Sequence, residues 1–294
     1  MNKRDICVVH LVRAQNGIDP LRRFLSSYGR NPAGVAHDLV FVLKGFPGKM
    51  LDAQYEAQLE SVEHRRLFVP DWGYDITAYF HAARIFQDHE FFCFLNSFSE
   101  ILAQNWLLKL HRTSLSENAG VAGATGSHQG FHPDWKSIAN RDRFSLRSGW
   151  KRRLLEVPLI EELNEFVNRI LSPPFPNPHV RTNAFLIRRD AMLALHPQIT
   201  LTKRLSYGFE SGWHNMTRQI LGMGRPAILV GKNGNAYHID DWADSDIFWQ
   251  NDQGNLLVAD NQTRRYEMAD AETRKIFSHY AWGKDHGAVR ENRL

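Results

Sequence analysis

Apolar residues in this chain gather into short dense runs separated by amphipathic stretches. Ile6 to Val12, Leu39 to Leu43, Arg66 to Pro70 and Phe91 to Leu95 are the runs of the first hundred residues. The run at Phe91 is too short for a membrane span and too apolar for a surface strand, so it predicts a central strand buried on both faces. Between the runs, Pro20 to Tyr28 reads as a helix, as does the series Leu51, Tyr55, Leu59 and Val62. Ile76 to Phe86 is a third helix, with Asp75 placed to cap it. The order β-α-β-α-β-α-β calls for a parallel sheet covered by helices on both faces, because parallel neighbours need crossover connections.

The second half is less regular. A helix containing Trp106 to Leu110 is followed by a strand of small residues, Gly120 to Gly126, that permits close backbone approach. Phe131 to Lys151 lacks periodicity and predicts a long surface excursion, and an amphipathic helix carrying Leu159, Leu163, Phe166 and Ile170 ends at the prolines of 173–178. Val180 to Ile187 is a strand with a polar entry, and Arg189-Asp190 starts a short helix. Tyr207 to Gly212 is a glycine-flanked loop leading into a helix through Ile220, and Ala227 to Val230 is a late strand. With no repeat and no low-complexity linker, the expectation is one continuous domain over 1–294, divided into halves at 1–127 and 128–294 with a C-terminal tail.

Composition changes this picture little. A chain of 294 residues with 43% hydrophobic residues can bury a sizeable core. No stretch approaches the roughly 20 apolar residues that cross a bilayer, and the start runs directly into a strand instead of a signal peptide, so the expected location is the cytoplasm. Cys7 and Cys93 lie inside apolar runs and read as small buried hydrophobes. The net charge of +4 comes from scattered basic pairs without a dense tract. That is weak support for a nucleic-acid partner and equally suits a phosphate-bearing ligand or an anionic membrane surface.

Candidate chemistry gathers at the strand ends. In open α/β sheets ligands collect at the carboxyl ends of the strands, which singles out Asn96, Ser97 and Ser99 after the run at Phe91. Two readings stand side by side for these three: contact to a ligand, and plain capping of a helix starting near Ile101. Lys44, Arg13 and Arg181 are basic residues at loop positions, able to meet phosphate charge. Glu210 is a loop carboxylate before a helix, bracketed by Gly208 and Gly212. It reads as a general base aimed into a cleft or as a first-turn acid favouring the helix dipole. Trp72, Trp213 and Trp242 near predicted loops could offer flat faces to a ring-shaped ligand, with core packing as the plainer account.

The segment Tyr74-Asp75-Ile76-Thr77-Ala78-Tyr79, the tip Phe94-Leu95-Asn96-Ser97-Phe98-Ser99, the strand Thr182-Asn183-Ala184-Phe185-Leu186-Ile187 and the loop Phe209-Glu210-Ser211-Gly212 resemble GT-A-fold glycosyltransferases, closest to bacterial polysaccharide enzymes of the rhamnan-synthesis type. The resemblance implies a nucleotide-diphospho-sugar transferase fold, a three-layer α/β sandwich with a mostly parallel central sheet. It also implies a nucleotide-sugar donor, a glycan or lipid-linked acceptor, and peripheral contact with the inner face of the membrane. It makes 1–127 the donor half and 128–294 the acceptor half, Glu210 the base of an inverting transfer, Asp75 a donor contact, and Thr182 and Asn183 acceptor-side residues. In that family an Asp-x-Asp pair at the central tip holds Mn or Mg, with a late His completing the shell. This chain has Asn96-Ser97-Phe98-Ser99 in place of the pair, which puts metal dependence in doubt and leaves His238, with Asp240 and Asp241 as fallbacks. Two alternatives remain: a non-catalytic nucleotide-sugar or glycan-binding protein on the same scaffold, and a nucleic-acid-modifying glycosyltransferase.

Overall fold

The computed structural model describes residues 5–71, 73, 75–130, 173–197 and 208–283. The expected excursion at 131–151 and the helix around Leu159, together with Trp72, Tyr74 and Tyr207, lie outside them. The main sheet is built from β1 (Ile6–Arg13), β2 (Asp38–Lys44), β3 (Arg65–Val69), β4 (Phe91–Leu95), β6 (Val121–Gly123), β9 (Ala184–Arg188), β10 (Ala227–Val230) and β11 (Ala236–Tyr237). Their spatial order is β11-β10-β6-β9-β4-β1-β2-β3. β1 pairs in parallel with both β2 and β4, β2 with β3, and β6 with β10, while β9 and β11 run against their neighbours. The chain therefore winds outward from β1 to β3, then returns to place β4 on the other flank of β1. That reversal is where an open α/β sheet opens a crevice at its carboxyl edge.

Period-2 alternation decides which helices cover which face. Cys7, Val9 and Leu11 of β1, Val40 and Val42 of β2, and Phe92 and Phe94 of β4 belong to one core. It is closed by α3 (Asp75–Ile85) and by the helices Arg189–Ala194 and Met216–Gly222. Val8, Phe41 and Cys93 face the other core, under α1 (Asp19–Arg30), α2 (Ala53–Leu59) and α4 (Trp106–Ser116). Both cysteines are fully buried, and burial pushes their thiols upward, as the core reading expects.

Two local expectations are corrected. No helix follows Ser99: the chain forms a two-residue strand, β5 (Glu100–Ile101), paired antiparallel with β12 (Val258–Ala259), and α4 begins only at Trp106. Asn96, Ser97 and Ser99 therefore cap no helix, and the tip offers no helix N-terminus. The expected strand 180–187 is broken in two. β8 (His179–Val180) pairs with β7 (Gly126–Ser127) in a separate ribbon, β9 starts at Ala184, and Arg181-Thr182-Asn183 form the kink between.

Candidate active site

Three groups of side chains meet at the carboxyl edge of the sheet. The first sits on β1, β2 and α3. Arg13 and Lys44 end their strands on the α3 face because they continue the alternation of Leu11 and Val42. The Arg13 guanidinium lies 3.2 Å from the Asp71 carboxylate. Lys44 is buried and its ammonium donates to the carbonyl of Gly73. Gly73 has a φ of +70°, and a Cβ there would stand 2.7 Å from the Thr77 hydroxyl, so the position requires glycine. Asp75 begins α3, which Tyr79 anchors by stacking on Phe94 of β4 at 4.6 Å between ring centres. Burial raises the Asp75 carboxyl above its ordinary range, Arg13 and Lys44 pull it back, and the negative charge of Glu210 pushes it up again. Burial lowers Lys44, with Arg13 adding to the effect and Asp75 and Asp71 opposing it.

The second group is the β4 tip. The Asn96 side-chain oxygen accepts from Phe98 N at 2.9 Å, an Asx turn that closes the loop on itself. The Ser99 hydroxyl lies 3.2 Å from that oxygen and 3.1 Å from the Asn183 carbonyl. Asn96 N donates to the same carbonyl at 2.8 Å. The Asn183 side-chain oxygen accepts from the Thr125 hydroxyl, whereas its Nδ2, like the Ser97 hydroxyl, is buried without a hydrogen-bond partner among the described residues. Unmatched buried donors and acceptors are uncommon and mark a place where a ligand or water completes the pairing.

The third group is the clasp on Glu210. Phe209 is fully buried with its ring against Phe80 of α3 at 5.9 Å, which fixes the next residue at the rim. The Glu210 Oε2 accepts from Thr182 N at 3.0 Å and from the Thr182 hydroxyl, while Oε1 bonds to no described residue. The expected loop is corrected here: residues 208–211 are helical, closed by Gly212 N donating to the Gly208 carbonyl at 3.0 Å, so Glu210 sits on a helical turn and not on a loop. His179 is buried beside this clasp, its Nδ1 2.8 Å from the Asn177 carbonyl. Desolvation lowers its pKa, and the Glu210 charge opposes that.

The kink 181–183 thus joins the tip to the acid, since Asn183 holds Asn96 and Thr182 holds Glu210. Arg181 is spent elsewhere. Its Nη2 pairs with Asp260 at 3.1 Å and its guanidinium lies over the Phe248 ring at 4.3 Å, while its Nη1 is buried with no hydrogen-bond partner among the described residues. His238 also lies apart. It follows the edge strand β11, four strand positions from β4, about 19 Å at ordinary strand spacing. Its Nε2 is 3.4 Å from the Glu117 carboxylate. Asp240 and Asp241 are exposed on the turn behind it. Trp242 is fully buried with its indole donating to the Tyr237 carbonyl, so it is core, whereas Trp213 is exposed beside the Arg218 guanidinium.

The donor set at the tip does not fit a divalent cation. The Asn96 oxygen is already engaged by its own turn, and Glu100, the first carboxylate downstream, pairs with Arg264 at 3.1 Å. Among the described residues no cluster of three or more His, Cys, Asp or Glu is placed to hold a metal. Sequence reasoning missed Thr125, His179, Arg181's pairing and Asp260. Thr125 carried a faint signal as the polar break in the small-residue strand, but the others carried none.

The protein is a mixed α/β chain with a large, mostly parallel central sheet, and the three groups lie where its strand order reverses, at the carboxyl edge beside β1 and β4. No protein-family model and no curated protein matches the chain. Among solved structures, the 1–349 segment of S. aureus TarS is similar at 13% identity with a TM-score of 0.32, over 40% of this chain and 34% of that one. The similarity thus spans about a third of that chain. No helix among the described residues is long and apolar enough to cross a membrane.

Proposed function

We propose that this protein is a GT-A-type glycosyltransferase that moves a sugar from a nucleotide-sugar donor to a hydroxyl of a growing glycan or lipid-linked acceptor, with inversion, in bacterial surface-polysaccharide synthesis at the inner face of the membrane. The observation that carries the reading is the junction at 181–183, which sets a carboxylate with one oxygen bonded to no described residue beside the polar β4 tip and near the Arg13, Lys44 and Asp75 group. The Glu210 carboxylate takes the proton of the acceptor hydroxyl as that oxygen attacks the anomeric carbon. The bond from that carbon to the diphosphate oxygen breaks, and its electron pair leaves with the diphosphate. Arg13 and Lys44 meet that charge, and Asn183 Nδ2 and the Ser97 and Ser99 hydroxyls are the neutral donors and acceptors around the sugar.

The test is Glu210→Gln, which keeps shape and the acceptor oxygen for Thr182 but cannot take a proton. Transfer assayed over a panel of nucleotide sugars should fall at least about a hundredfold, the usual scale of general-base removal, with donor affinity nearly unchanged. Full transfer by this variant rejects the role of Glu210. Binding of nucleotide sugars with neither transfer nor hydrolysis by the unaltered protein, whatever the acceptor, favours the non-catalytic alternative.

A further inference from the structure

Resting on that reading, we infer that Arg181, through its buried pairing with Asp260 and Phe248, is a positioning residue that sets the catalytic carboxylate. Arg181 directly precedes the kink whose next residue supplies both hydrogen bonds to Glu210 Oε2. Its backbone N–H donates to the Thr125 carbonyl at 3.0 Å, and Thr125 in turn fixes the Asn183 side chain. The guanidinium is held on two sides, by the Asp260 carboxylate at 3.1 Å and by the Phe248 ring at 4.3 Å. Asp260 is itself immobile, because its other oxygen caps the helix Asn261–Glu267 by accepting from Gln262 N and Thr263 N, both at 2.9 Å. A chain of stiff contacts therefore runs from a helix start near the C-terminus, through Arg181, to the backbone that aims Glu210.

The physical need follows from the kink. Residues 181–183 lie between β8 and β9, outside any strand, and are held by isolated backbone hydrogen bonds such as Arg181 N to the Thr125 carbonyl and Asn96 N to the Asn183 carbonyl, and a base displaced by about 1 Å can lose about a hundredfold in rate. A buried arginine tied at both charge and face adds a side-chain restraint to those bonds, which lysine, a point charge on a flexible stem, supplies only in part. This places the tail residues 248 and 260, far from the crevice in sequence, in control of the chemical step.

The experiment compares Arg181→Lys with the double variant Arg181→Met and Asp260→Asn. The double variant leaves no unpaired buried charge and keeps a capping oxygen at 260. With the melting temperature of the double variant close to that of the unaltered protein, kcat should drop about 10- to 100-fold while KM for the donor stays within about threefold, and Arg181→Lys should fall in between. Unchanged kcat in the double variant overturns the inference, as does a rise in KM alone. Should the double variant fail to fold, Arg181→Lys decides: a kcat loss of at least about threefold supports the inference and full kcat rejects it. Glu210→Gln assayed alongside separates the two failures, since an active Glu210→Gln refutes the base itself, whereas a silent one beside a fully active Arg181 variant refutes only the positioning.

Discussion

His10 shows how much a single side chain can depend on its surroundings. It lies at the middle of β1, fully buried, with its ring stacked on Phe24 at 3.8 Å and neither nitrogen bonded to any described residue. Burial lowers its pKa from the ordinary 6.5 to about 3. The folded chain then keeps His10 neutral where the unfolded chain takes up a proton, so its effect is to reduce stability as the pH falls from about 6.5 towards 3, and to do nothing above that window. The linkage slope of roughly 1.4 kcal/mol per pH unit makes the loss about 2 kcal/mol between pH 6.5 and 4.5. His10→Phe, which keeps the stack and removes the titration, should lose about 2 kcal/mol less than the unaltered protein over that interval in urea unfolding. Parallel losses would show that His10 does not stay neutral in the fold. A neighbour in the same strand, Arg13, shows the opposite case: one alternation step beyond Leu11 brings it to the crevice and to Asp71.

Elements differ in what their caps carry. Asp52 caps α2 by accepting from Gln54 N at 3.0 Å and Tyr55 N at 3.1 Å, and does little else. Asp260 makes the same kind of cap, with Thr263 completing a capping box, but also neutralises the buried Arg181. Asp52→Ala should therefore cost about 1 kcal/mol, as a lost cap does. Asp260→Ala should cost about 3 kcal/mol or more, because it also strands a buried charge. Equal losses near 1 kcal/mol in chemical denaturation would mean that Arg181 finds another partner. The expected cap at the β4 tip failed for a related reason. Asn and Ser at 96–99 have the right chemistry for a helix start, but the backbone after Ser99 is claimed by β12, more than 150 residues downstream, and the same side chains then close an Asx turn.

At the scale of the whole molecule, strands from both parts of the chain interleave, with β9 inserted antiparallel between β4 and β6. The crevice is thus formed only in the folded state, and a ligand that fills it should stabilise the fold. At a donor concentration about a hundredfold above Kd the added stability is about 2.7 kcal/mol, a rise of about 4 °C in melting temperature for a chain of this size. A thermal-shift series over nucleotide sugars tests this, and a flat series across donor bases and sugars would argue against a nucleotide-sugar site.

What the sequence determined by itself is the framework. The runs at Ile6, Leu39, Phe91 and Ala227 read as buried strands and the stretches at Pro20 and Ile76 as covering helices, and the structure has them so, because hydrophobic periodicity reports local burial. The order of strands and helices then implied a parallel sheet and a crevice at its carboxyl edge. Tertiary structure alone decided which polar residues meet there. It joined Thr182 to Glu210, Asn183 to Asn96 and Arg181 to Asp260, and it sent His238 to the far wing beside Glu117. Such pairings span from 28 residues to more than a hundred, set by how packed elements bring their ends together, and no pattern along the chain encodes that distance.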